Sequence, residues 1–271
     1  MSKFLNQHKF VTKLIKQTVI EKFYSHIRPG IKLKTNLDDI IEGILYVCKT
    51  GITWELLEFR NIKWKTIYNH FLKWSKYNIF ELIWNKIVNI YMKKNKYKKN
   101  LKYQVIDCTY IKSINGKDNV GRNPTDRGRM ATKLSILVDI IGTPIGYVLA
   151  AGNINDKNLF EQTLQRRIVK RKTKSILLAD KGYSDKNRQS EAKKYNYELI
   201  APNKKNCKKK LFRKCKFSNK RYVVEATNSW LKKYKRTILR YDSLSYNFKS
   251  FILLAFICIT NNKINKLISL I

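Results

Sequence analysis

Two short apolar runs that each end on an acid constrain this chain more than any other feature. Val105-Ile106 runs into Asp107, and Ile176-Leu177-Leu178-Ala179 runs into Asp180. Runs this short and apolar suit strands covered on both faces, as in an α/β sheet. A carboxylate closing such a strand loses hydration unless something compensates it. Strand ends are also where open α/β sheets form a ligand crevice. Taken singly, each acid reads equally well as an exposed strand-end residue or a helix cap, so it is the repetition that points to a site.

The surrounding pattern predicts a strand over 101–108, a hairpin from 133–139 and 145–150 turned at Gly142-Thr143-Pro144, and a helix over 158–170. A strand at 175–179, a polar helix over 185–195, a strand at 197–201 and helices from about Asn219 and Asn247 follow. Strand, hairpin, helix, strand, helix, strand, helix makes an α/β domain with a mixed sheet. The apolar stretch 251–260 is too short to cross a bilayer, which takes about 20 residues, and is predicted to be a buried helix.

Upstream the periodicity is helical. Asp38-Asp39 can start a helix whose Ile40, Ile41, Ile44, Leu45 and Cys48 keep 3-4 spacing until Gly51. Over 61–75, Trp64, Ile67, Tyr68, Phe71 and Leu72 form an apolar stripe that leaves Lys63, Lys65, Asn69, His70 and Lys73 outward. Two such helices, the second offering basic and amide side chains, suit a helix-turn-helix or a helical bundle with a solvated basic face. Six lysines within 92–102 suggest a linker. The expected organisation is a helical DNA-binding domain at 1–92, a basic linker at 93–102 and a second domain at 103–271.

Against 19 Asp+Glu stand 57 Lys+Arg, a formal charge of +38 that calls for a polyanionic partner, nucleic acid above all. A coding bias toward Lys, Asn and Ile contributes to that figure. The segment 204–220 alone carries nine Lys or Arg and no acid, and it reads either as a track along a DNA backbone or as a solvated loop. Arg122, Arg127, Arg129 and Lys133 are further phosphate-contact candidates. Five scattered cysteines without a Cys-x-x-Cys pair imply reduced thiols rather than zinc or disulfides. The N-terminus lacks a signal-peptide core. A cytoplasmic, nucleoid-associated protein with no membrane segment is expected.

The third acid of interest is Glu225, in the run 221–232. Helical spacing puts Arg221, Glu225, Asn228 and Lys232 on one stripe, with Val223, Val224, Thr227, Trp230 and Leu231 on the other side. An ordinary i, i+4 Arg-Glu pair explains that much.

The blocks VIDCTYIKS, ATKLSILVDIIGTPIGYVLAAGN, LLADKGYSD, RYVVEATNSWLKK and ILRYDSLSYNFKSF occur in order, with GIKLKTNLDDIIEGILYVCKTGITWELL ahead of them. Together they resemble the DDE transposases of insertion-sequence family five. The resemblance implies a ribonuclease-H-like mixed sheet flanked by helices, preceded by a small all-α, helix-turn-helix-like region. It implies that Asp107, Asp180 and Glu225 are the catalytic, metal-binding acids, and that Arg221 and Lys232 handle DNA near the scissile phosphate. Two positions depart from the pattern: Ser218 stands where relatives often have Tyr, and Asn155-Asp156 where many have His-Asp. Asp156 is expected to cap a helix.

Such chemistry needs an activated water, an in-line leaving group and charge stabilisation at phosphorus, which two divalent ions supply. Hard carboxylate oxygens suit Mg2+ or Mn2+. The expectation is that Asp107 bridges both ions while Asp180 and Glu225 each complete one shell. Double-stranded DNA, as element ends and target, is the expected partner, with a homodimer in the synaptic complex. A metal-dependent nuclease or resolvase on the same fold, a catalytically silent DNA-binding relic and a ribosome-associated basic protein are the alternatives.

Overall fold

The computed structural model describes residues 2–25, 35–93, 95–171, 173–202 and 218–268. They fall into two units, Met1–Ile87 with Leu231–Ile271, and Val88–Trp230. The sequence pattern placed everything from 103 onward in one body, whereas the residues from Leu231 gather with the N-terminal helices. Turns of 3-10 helix over Asn95–Lys102 stand where an open linker was expected.

The first unit is helical: α1 (Ser2–Gln7), α2 (Lys9–Phe23), α3 (Leu37–Thr50), α4 (Trp64–Lys76), most of α5 (Ile79–Lys93) and, from the C-terminal part, α9 (Ser245–Ile268). Helix α3 forms as its spacing predicts. Asn36 caps it by accepting from the Asp38 N–H at 3.0 Å, its five periodic apolar residues are buried, and Gly51 ends it at φ +76°, a left-handed conformation that favours glycine. The stretch 251–260 is buried throughout within α9. Among the described residues no helix is long and apolar enough to cross a membrane. A helix apolar all round must be enclosed, which is why α9 packs with α2, α3 and α4. Helices α3 and α4 are joined by Gly51–Lys63, which holds a 3-10 turn (Trp54–Leu56) and a Phe59–Ile62 bridge. That connection is longer than the tight turn of a helix-turn-helix.

The second unit carries strands β1 (Tyr103–Ser113), β2 (Gly121–Arg122), β3 (Met130–Asp139), β4 (Pro144–Ala151), β5 (Ser175–Leu178) and β6 (Tyr197–Ile200), with helices α6 (Asp156–Gln165), α7 (Lys186–Lys194) and α8 (Tyr222–Leu231). Strand β3 lies between β1 and β4 and antiparallel to both; on the other side of β1, β5 and then β6 run parallel to it. Short β2 pairs with the start of β3. This is a mixed sheet flanked by helices, as the sequence pattern predicts.

Alternation along the strands assigns two faces. Ser135 lies opposite Cys108 on one face, where the Thr163 hydroxyl of α6 meets Ser135 Oγ at 2.7 Å. Helix α8 is tied instead to the β3–β4 turn. The Thr227 hydroxyl donates to the Gly142 carbonyl at 3.1 Å, and a Cβ on Gly142 (φ +84°) would come within 2.7 Å of Trp230. The turn is organised by buried Asp139, whose Oδ1 accepts from the N–H groups of Ile141 (3.1 Å) and Thr143 (2.8 Å) while Tyr91 donates its hydroxyl to Oδ2.

Candidate active site

Asp107 does not end its strand. β1 continues to Ser113, and what ends near Asp107 is its parallel neighbour β5. Val105 lies opposite Leu178, the last residue of β5; Asp107 follows two residues further along β1, and Asp180 two residues past the end of β5. Asp180 keeps extended backbone angles, φ −72° and ψ 163°. Its carboxylate also accepts from the Lys181 N–H at 2.7 Å and so caps the 3-10 turn that follows.

Arg221 Nη1 lies 3.1 Å from Asp180 Oδ1. Burial pushes the Asp107 carboxyl up to about 6; the Cys108 N–H and the Arg221 guanidinium pull it back, while Asp180 and Asp156 push it further. Asp107, Asp180 and Arg221 therefore form one electrostatic group, two acids sharing one cation.

Glu225 is exposed on α8, one turn after Arg221. Among the described residues no three His, Cys, Asp or Glu side chains converge as a metal-holding group, so Glu225 is not gathered with the two aspartates. Arg221 ends the 3-10 turn Ser218–Arg221, and Lys232 follows the last residue of α8. The continuous stripe predicted for 221–232 thus holds within the helix only for Glu225 and Asn228. Asn228 is partly buried, and its Oδ1 has no hydrogen-bond partner. Lys232 is exposed.

Lys133 is a correction. Its side chain is 3% exposed; Nζ meets Asp156 Oδ1 at 2.6 Å, donates to the Ile154 carbonyl and sits 4.5 Å from the centre of the Tyr110 ring. A lysine so enclosed cannot reach a phosphate. Asp156 is corrected with it, since the helix cap is Asn155, which accepts from the Lys157 N–H at 3.0 Å. The signal was in the sequence: Lys133 interrupts an apolar strand, and a buried ammonium demands a carboxylate.

Lys63, Lys65, Asn69 and Lys73 are exposed, the last three at four-residue spacing along α4. Arg122, Arg127 and Arg129 are also exposed, Arg129 lying 3.6 Å from Asp126. Most of the basic segment 204–220 lies outside the described residues, as do Cys207 and Cys215. The described cysteines, Cys48, Cys108 and Cys258, are free thiols.

Residues 106–260, more than half of the chain and including both aspartates, Arg221 and Glu225, match the family described as transposase DDE domain. The chain belongs to that family. Residues 14–84 match a second family, described as "Putative transposase of IS4/5 family", in agreement with the resemblance drawn from the sequence blocks. A "Putative transposase for insertion sequence element IS402" from Burkholderia cepacia is 26% identical over 141 residues, covering 47% of this chain. The alignment spans 61% of that relative's length. Among solved structures, a piggyBac transposase synaptic complex with hairpin DNA aligns at TM-score 0.48 and 9% identity, over 92% of this chain and 70% of that one. The catalytic domain of Mos1 mariner transposase aligns at 0.28 and 15% identity, over 65% and 88%.

Proposed function

We propose that this DDE-family chain is a DNA transposase: it binds the ends of an insertion sequence, cleaves them by metal-dependent phosphodiester hydrolysis and joins the 3′-hydroxyl to target DNA by transesterification. The observation that carries this is that Asp180, just past the end of β5, is paired with Arg221 and lies close enough to Asp107 on the neighbouring parallel strand β1 for both to act on the Asp107 carboxyl, inside the segment that matches the family.

The donor set suits hard divalent cations, since it offers carboxylate oxygens and no thiolate; Cys108 lies on the opposite face, 3.4 Å from the Tyr183 hydroxyl. Asp107, Asp180 and Glu225 would hold two Mg2+ or Mn2+ ions, which supply an activated nucleophile and charge stabilisation at phosphorus. Asp107 is fixed by its strand, and Asp180 by its bond to the Lys181 N–H. Glu225 is carried on α8, which is tied to the hairpin turn through Thr227, and would have to turn toward the two aspartates on binding metal. Arg221, Asn228 and Lys232 serve as donors to the DNA backbone, and Lys63, Lys65, Asn69 and Lys73 offer a second contact surface on the helical unit. A charge of +38 supports a long electrostatic contact with double-stranded DNA. Bringing two element ends together calls for a homodimer in the synaptic complex, acting in the cytoplasm at the nucleoid.

The test uses a duplex carrying the DNA that flanks the coding region, with Mg2+ or Mn2+. The wild-type protein nicks it and joins pre-cut ends to a target, whereas Asp107→Ala binds the duplex and does neither. Cleavage retained by Asp107→Ala removes the assignment, and nicking without joining identifies a nuclease instead.

A further inference from the structure

Arg221 is held less completely than a structural arginine would be. Among the described residues it makes one ion pair, from Nη1 to Asp180 Oδ1 at 3.1 Å, while its Nε is buried without a hydrogen-bond partner. Buried guanidinium donors are ordinarily satisfied, and an arginine placed to stabilise a carboxylate uses its fork to bind both oxygens. The arrangement at Asp180 is neither. The guanidinium is a quarter exposed and the carboxylate nearly half exposed, 26% and 46%. A second acid, Asp107, feels the same positive charge.

We propose that Arg221 is a displaceable internal counter-cation. In the absence of metal it neutralises Asp180 and offsets the repulsion between Asp180 and Asp107. A divalent cation competes with it for the Asp180 carboxylate, and the released guanidinium turns its donors to a DNA phosphate. Metal loading and backbone contact are then coupled through one side chain, and each tightens the other. By linkage this coupling is reciprocal. The inference rests on the reading of Asp107 and Asp180 as metal ligands.

The experiment is Mn2+ binding to the full-length protein by titration calorimetry, with and without a short duplex. The proteins are wild type, Arg221→Gln, Arg221→Lys and Asp180→Asn, each first checked for a cooperative thermal transition. Removing the competing charge tightens Mn2+ binding in Arg221→Gln by about three- to fivefold, the upper scale of a part-exposed ion pair. Arg221→Lys keeps the charge and stays within about twofold of wild type. Duplex tightens Mn2+ binding in the wild type and does so less in Arg221→Gln. Binding unchanged or weakened in Arg221→Gln, with Asp180→Asn deficient, overturns the inference alone. Binding unchanged in Asp180→Asn overturns the ligand reading beneath it.

Discussion

Two cation–carboxylate pairs in the second unit are built to opposite specifications. Lys133 is 3% exposed and has Asp156, the Ile154 carbonyl and the Tyr110 ring around it; every direction its ammonium faces is answered. Among the described residues Arg221 has one ion pair and a buried, unpartnered Nε. In the first pair the lysine is enclosed while Asp156 is nearly half exposed, and an ammonium so covered would be costly without its carboxylate. The second lies where β5 ends, beside two acids that need a cation but not that particular one. Completeness of pairing, more than charge or burial alone, separates a structural ion pair from one poised to exchange.

Glu225 is outside both pairs, and it gives the largest expected difference. Glu225→Gln changes an exposed helix position, so unfolding stability stays within about 0.5 kcal/mol of wild type. Strand cleavage nevertheless falls by at least about a thousandfold, roughly 4 kcal/mol in the barrier, as a gel assay of nicked duplex would reveal. An unchanged rate would leave the site with two carboxylates and no third. Lys133→Met tests the opposite case: it leaves the half-exposed Asp156 and the Ile154 carbonyl without their donor and lowers stability by about 1–2 kcal/mol in urea unfolding. The salt dependence of DNA binding is unaltered. A Lys133→Met protein with normal stability and a reduced salt slope would return Lys133 to the phosphate contacts.

Asp139 sharpens the comparison, being a buried acid answered by neutral donors. Burial raises its carboxyl to about 6, with the Tyr91 hydroxyl and the Thr143 and Ile141 N–H groups pulling it back. Because that value lies above the ordinary 3.8, ionisation opposes folding. The penalty is absent below pH 4, grows between pH 4 and 6 and is complete above. Relative to Asp139→Asn, the wild type should lose about 2–3 kcal/mol of stability across that window, measured by urea unfolding at each pH; parallel curves would contradict the assignment. The smallest effects belong to exposed lysines. Lys65→Gln and Lys73→Gln each reduce the slope of log affinity against log salt by about 1, read by fluorescence anisotropy, without changing the melting temperature. Slopes equal to wild type would take α4 out of the DNA-binding surface.

Much of this was legible along the chain. Helix α3 announced itself by Asp38-Asp39, periodic isoleucines and Gly51. The β3–β4 hairpin announced itself by two apolar runs around Gly142-Thr143-Pro144, and the buried middle of α9 by its unbroken apolar stretch. These are local signals, since spacing and turn residues act within a few positions. Helices α1 and α2 were not located because their apolar residues are interspersed with lysines, and only packing shows which face is covered; α5 was legible, since Ile79, Phe80, Ile83, Trp84, Ile87, Val88 and Tyr91 keep helical spacing, and was not read. The aspartates were visible as acids after apolar runs. That Asp107 sits mid-strand was not, because the length of β1 depends on a partner, β3, more than twenty residues away.

The order of elements, the helical character of the N-terminal part and the excess of positive charge were determined by sequence alone, through periodicity and composition. Tertiary structure decided that Arg221 pairs with Asp180, that Lys133 is enclosed, and that the residues from Leu231 gather with the N-terminal helices. Each of those depends on register or burial between segments distant in the chain. A side chain's partner there is set by the free energy of covering charge and apolar surface together, which no single segment contains.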